Sequence, residues 1–142
     1  MGSLLKTLKA SPVLAALSPT ELQAVAQASR RVTCDLGQVL HGDAREEMYI
    51  LEEGRVALWL NLRPGERCGG QATAIMDHAG QTFGWSALVR EDRLVGRAHC
   101  LARTSLIAVT LRDLASPLRL QVLRRLTTYV FALLQDLGLC PF

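Results

Sequence analysis

The chain has 142 residues, 49% of them hydrophobic and 20% charged, which is the make-up of one globular domain and not of a disordered or fibrous chain. A net charge of +3 does not by itself point to nucleic acid, and no stretch nears the roughly 18 uncharged apolar residues of a membrane span. The first residues lack the long apolar core of a signal peptide, so the expectation is a cytoplasmic protein with no membrane association.

Between Leu4 and Leu17 apolar residues recur at helical spacing, and Pro12 divides the segment into two expected short helical pieces. Ser18-Pro19-Thr20-Glu21 is a capping box with proline at the first helical position. With Leu22, Val25 and Ala26 it predicts a helix over 19–29. From Arg31 the texture changes to short apolar stretches punctuated by glycine, the pattern of antiparallel strands joined by tight turns. Strands are predicted over 32–35, 39–42, 48–51, 56–62, 72–76, 98–103 and 105–110, with a hairpin tip over 63–70.

Ser116-Pro117 repeats the cap-and-proline start and opens a long helix that Gly138 ends. On it Leu118, Val122, Leu126, Tyr129, Leu133 and Leu137 form one expected face, and Leu123, Val130 and Leu134 a second. Two apolar faces exceed what one sheet can cover, which predicts a homodimer through this helix. The fold expected is therefore α+β in one domain: helices over 4–29, an antiparallel β-roll over 30–110 and a C-terminal helix over 116–137.

Catalysis finds no motif. His41 and His78 are expected in turns without a carboxylate and nucleophile arranged beside them, and no nucleotide-binding or hydrolase signature occurs. His99 and Cys100 are adjacent on an expected strand, so they point to opposite faces and cannot share a metal. Cys34, Cys68, Cys100 and Cys140 lie too far apart for the close ligand pairs of a zinc site and are expected to be free thiols. No catalytic residue, metal or resident cofactor is expected.

Three strings carry a resemblance: Gly37-Gln38-Val39-Leu40-His41-Gly42-Asp43, Met48-Tyr49-Ile50-Leu51-Glu52-Glu53-Gly54-Arg55-Val56, and Gly80-Gln81-Thr82-Phe83-Gly84-Trp85-Ser86-Ala87-Leu88. Over 14–126 the chain resembles the cyclic-nucleotide-binding domain of Crp/Fnr regulators, cyclic-nucleotide-dependent kinases and gated channels. Glycines 37, 54 and 80 fall where roll corners need positive φ.

The resemblance implies that Phe83, Gly84, Trp85, Ser86, Ala87 and Leu88 form a phosphate-binding cassette, a short helix whose backbone N–H groups face an anion. Where the typical cassette has Glu for the ribose 2′-hydroxyl, this chain has Trp85, which either stacks on a ligand ring or fills the space of a nucleotide. The phosphate-pairing arginine of such domains falls at Gly96, flanked by Arg93 and Arg97, either of which could reach an anion. The ligand implied is a small anionic molecule, a cyclic nucleotide first, signalling through the C-terminal helix. The alternative is a roll that has lost its ligand and serves as an interaction module. The chain ends at Phe142 with no room for a DNA-reading helix-turn-helix after the last helix, so it is expected to act on a partner or within a longer protein and not on DNA directly.

Overall fold

The N-terminal segment folds helically wherever proline and side-chain caps allow it. The computed structural model describes residues 2–41, 47–62, 70–84 and 94–139. Helix α1 spans Gly2–Ala10. The second helical piece expected after Pro12 is instead a pair of consecutive tight turns, with the Leu14 N–H donating to the Ser11 carbonyl and the Leu17 N–H to the Leu14 carbonyl, both at 3.1 Å. Such three-residue bonds suit a stretch too short to propagate a helix.

Helix α2, Pro19–Gln27, carries the capping box: the Glu21 N–H donates to Ser18 Oγ at 3.2 Å and the Ser18 N–H to Glu21 Oε1 at 2.9 Å. It stops before the expected residue 29. Ala28 caps it, and Ser29 already belongs to the first strand.

The strands are β1 (Ser29–Cys34), β2 (Val39–His41), β3 (Glu47–Glu53), β4 (Val56–Leu62), β5 (Gly70–Met76), β6 (Thr82–Phe83), β7 (Leu94–Cys100) and β8 (Thr104–Thr110). They form two antiparallel four-stranded sheets, ordered β1-β8-β3-β6 and β2-β7-β4-β5, which together make the roll. The expected hairpin is present as an unbroken β4–β5 ladder from Val56↔Met76 to Leu62↔Gly70; residues 63–69 of its tip lie outside the described residues.

The strand expected over 39–42 is β2, and His41 lies in it, paired with Arg97, and not in the turn also expected for it. The strand expected over 98–103 is instead Leu94–Cys100: the Leu101 N–H still donates to the Arg55 carbonyl at 2.9 Å, in register with Val56↔Cys100, and 101–103 then turn the chain into β8. The corner glycines 37, 54 and 80 do take positive φ. At Gly54, φ +115°, a Cβ would also stand 2.6 Å from Thr104 Cα, so the β3–β4 turn can pack on β8 only without a side chain.

Helix α1 lies on β3 and β8, and α2 on β1, so the helical layer covers the outer face of the first sheet. Helix α3, Ser116–Asp136, is capped by Ala115 and not by Ser116, and no side chain closes its start. Its buried stripe is Leu118, Val122, Leu126, Val130 and Leu134. The two-faced reading of this helix is thereby corrected. Leu134 has no exposed surface and Val130 is also buried, so both belong to the domain's own core, while Leu123, Tyr129, Leu133 and Leu137 flank it half-buried. Successive i+4 positions drift around the helix, so the stripe crosses from one expected face to the other as α3 follows the roll.

Helix α3 closes the seam between the sheets. Leu126 packs beside Gly84, just after the edge strand β6, and Leu139, after α3, packs on Gly70 of the other edge strand, β5. Among the described residues no helix is long and apolar enough to cross a membrane.

Candidate functional site

Strand β6 is two residues long and leads into the implied cassette. It is held by three neighbours. In register with β3 it pairs Phe83 with Tyr49 and Thr82 with Ile50. The Phe83 and Tyr49 rings stack with centroids 5.3 Å apart and planes 21° from parallel. On the N-terminal side the buried Ser11 and Thr82 hydroxyls share a 2.6 Å hydrogen bond, and Thr82 Oγ1 donates to the Gly80 carbonyl at 2.9 Å. The turn before β6 fits tightly as well: a Cβ on Gly80, φ +94°, would stand 2.6 Å from the Ala10 carbonyl oxygen.

The third neighbour is α3. The Tyr129 hydroxyl hydrogen-bonds the Thr82 backbone, and burial raises this phenol's pKa in spite of that bond. Gly84 comes so close to β3 that a Cβ would lie 3.2 Å from the Glu47 carbonyl oxygen and 3.6 Å from Leu126 of α3.

Of the residues implied by the resemblance, Phe83 and Gly84 are buried at this junction. Trp85, Ser86, Ala87, Leu88 and Arg93 lie outside the described residues. Arg97 points elsewhere. Along β7 the side chains alternate, with Ala98 and Cys100 in the core and Arg97 exposed on the outer face, opposite Trp59 of β4. Its guanidinium carbon sits 6.0 Å from the Trp59 ring centre, and that ring stacks on His99 at 4.1 Å. Gly96, the position where the resemblance places the phosphate arginine, is buried.

His99 and Cys100 do point to opposite faces. Among the described residues no group of three or more His, Cys, Asp or Glu could hold a metal ion. Cys34 and Cys100 are buried free thiols, and burial together with the adjacent Cys34 pushes the Cys100 thiol up to about 11. Such thiols are poor nucleophiles. Sequence reasoning missed Ser11, Thr82 and Tyr129. Their sequence signal is weak, since a hydroxyl in a turn and a tyrosine on an apolar helix each read as ordinary surface or core.

No sequence-family model matches the chain, and no curated protein sequence does. Solved structures do match. The regulatory subunit of a cAMP-independent protein kinase A from Trypanosoma brucei aligns with a TM-score of 0.63 at 16% identity, covering 94% of this chain and 47% of that one. The regulatory domain of Toxoplasma gondii PKA with cAMP aligns at 0.61 and 20% identity, covering 79% of this chain and 42% of that one.

The chain has the fold of cyclic-nucleotide-binding sensor domains. It spans less than half of either kinase regulatory chain. The sensor domain of the transcriptional regulator DNR from Pseudomonas aeruginosa, at TM-score 0.58 and 21% identity, is matched over 92% of its length and 89% of this chain. Within this fold, Thr82 of β6 and Gly84 lie beside Tyr129 and Leu126 of α3.

Proposed function

We propose that the chain is a non-catalytic regulatory sensor domain in which the segment Phe83, Gly84, Trp85, Ser86, Ala87 and Leu88 takes a small anionic ligand, a cyclic nucleotide first, and α3 carries the response. The observation that carries this reading is the double contact between the cassette entry and α3: Gly84 against Leu126, and the Thr82 backbone against the Tyr129 hydroxyl. A ligand that draws the segment after Gly84 toward itself changes both contacts. A response then requires that the ligand bind more tightly with α3 in one position than in the other. Because Arg97 stands outside the roll, Arg93 is the arginine proposed to meet the anion.

A second reading has specific support. Trp85 replaces the ribose-binding Glu, and one structural neighbour is described as cAMP-independent. In that reading the fold persists as an interaction module with Trp85 in place of a nucleotide.

Calorimetry against cyclic mononucleotides and cyclic dinucleotides separates the two. Binding at micromolar ligand, abolished by Arg93→Ala and unaffected by Arg97→Ala, supports the sensor. With no Glu to hold the ribose hydroxyl, a 2′-deoxy analogue should bind within about tenfold of its parent, a difference below roughly 1.4 kcal/mol. No heat with any member of the panel sinks the sensor reading in favour of the interaction module.

A further inference from the structure

A cleft of about 680 Å³ runs along the outer flank of α3, walled on one side by Pro12. Its apolar lining is Pro12, Pro117, Leu120 and part of Tyr129, and its polar rim includes Arg124 and Arg125. Leu120 is 50% exposed, although it lies on the helix that closes the roll. Among the described residues no acidic side chain lines the cleft. The two arginines are exposed, and the ion pairs of the described residues are made elsewhere, by Arg30 with Glu47, Arg31 with Glu52 and His78 with Asp77. Helix α3 has a single acid, Asp136, at its far end, and none in its first turn, so nothing along this half of the helix offsets the positive charge.

We propose that this cleft docks an acidic amphipathic helical segment of a partner protein, with its apolar side chains on Leu120 and Tyr129 and its carboxylates on Arg124 and Arg125. The lining extends from Pro117 to Tyr129, about 18 Å along a helix axis, which suits roughly three turns of a docked helix and is long for a single phosphate or mononucleotide. The apolar walls and the chain's modest charge disfavour nucleic acid. A second copy is disfavoured by symmetry. Arg124 and Arg125 lie next to the midpoint of α3, so two copies paired in parallel along it set arginine against arginine, and an antiparallel pair brings the arginines within about one turn of each other. None of the cleft residues belongs to the cassette, and Tyr129 alone is shared with the contact between α3 and β6.

The probe is a synthetic 16-residue helix with leucine at positions i, i+3, i+4 and i+7 of its repeat and glutamate at most others, titrated into isotope-labelled protein at about 150 mM salt. Controls are a scrambled peptide of the same composition, the same helix with lysine for glutamate, a single-stranded oligothymidylate, and vesicles of phosphatidylcholine with phosphatidylglycerol. The expected result is saturable binding of the acidic helix, with amide shifts confined to Gln121, Arg124, Arg125, Thr128 and the segment around Pro12. The double variant Arg124→Glu with Arg125→Glu should weaken that binding about tenfold or more, bind the lysine helix instead, and keep the unmodified protein's melting temperature. Leu120→Ala should weaken it several-fold.

Several results overturn the proposal: no saturation below about 1 mM, equal binding of the scrambled peptide, indifference to the double charge reversal, or tighter binding of the oligonucleotide or vesicles. So does a dimer that the charge reversal dissociates in sedimentation, since the cleft would then belong to a second copy. None of these outcomes bears on whether a cyclic nucleotide binds, which calorimetry decides separately.

Discussion

The two sheets of the roll face different neighbours, and their sequences differ accordingly. In the first sheet the central strands β3 and β8 are buried almost continuously, because α1 covers one face and the roll interior the other. In the second sheet β5 alternates between covered and exposed residues up to Met76, and the outer face displays Trp59, Ile75 and Arg97. A strand covered on both sides reads as an apolar run, and a strand with one wet face reads as alternation. The first sheet therefore buries side chains on both faces, and the second on its inner face.

The sharpest way to break that comparison is to empty each sheet in turn. Ile107→Ala, at a fully buried site in β8, should cost about 2–5 kcal/mol in urea unfolding, whereas Trp59→Ala, at a side chain 46% exposed, should cost much less. Equal losses would mean that the outer face of the second sheet is packed in solution. Leu134→Glu sharpens the same point for α3. A charge placed at this fully buried position should unfold the domain, while Leu123→Glu should leave it folded.

A smaller effect is expected at the hydrogen bond between α3 and β6. Tyr129→Phe removes the hydroxyl of a half-buried side chain from the Thr82 backbone and should cost about 1 kcal/mol, with faster amide exchange at Thr82 and Phe83 and unchanged exchange in β8. Unchanged exchange in β6 would mean that α3 is not coupled to the cassette entry through this bond.

A further effect is alkaline. Burial, and then the nearby Glu47 carboxylate, push the Tyr49 phenol up to about 12, so the folded chain holds this proton more tightly than the unfolded one. The resulting stability is complete below the unfolded value near 10 and declines as pH rises toward about 12. Tyr49→Phe should flatten that decline in chemical denaturation measured across this range. An equally steep decline in the variant would place its origin in other groups.

Much of the fold was legible locally. The capping box at Ser18, the β4–β5 ladder and the end of α3 near Gly138 follow from short-range chemistry, since a cap, an alternation or a positive-φ glycine needs no distant partner. The candidate site was less legible. Strand β6 is only two residues long and has no period to detect, and Arg97 was one of two equivalent cations until the register opposite Trp59 set its side chain outward.

The sequence by itself determined the three helices, most of the strands and the main turns, because those choices depend on residues a few positions apart; it did not show β6 or the start of β7. Tertiary structure alone decided which side of each element is inside. Leu134 became core, the Ser11 hydroxyl met Thr82 across 71 positions of chain, and Tyr129 reached the backbone of β6. A helical or strand period defines faces, but a face becomes interior only when another element comes to cover it.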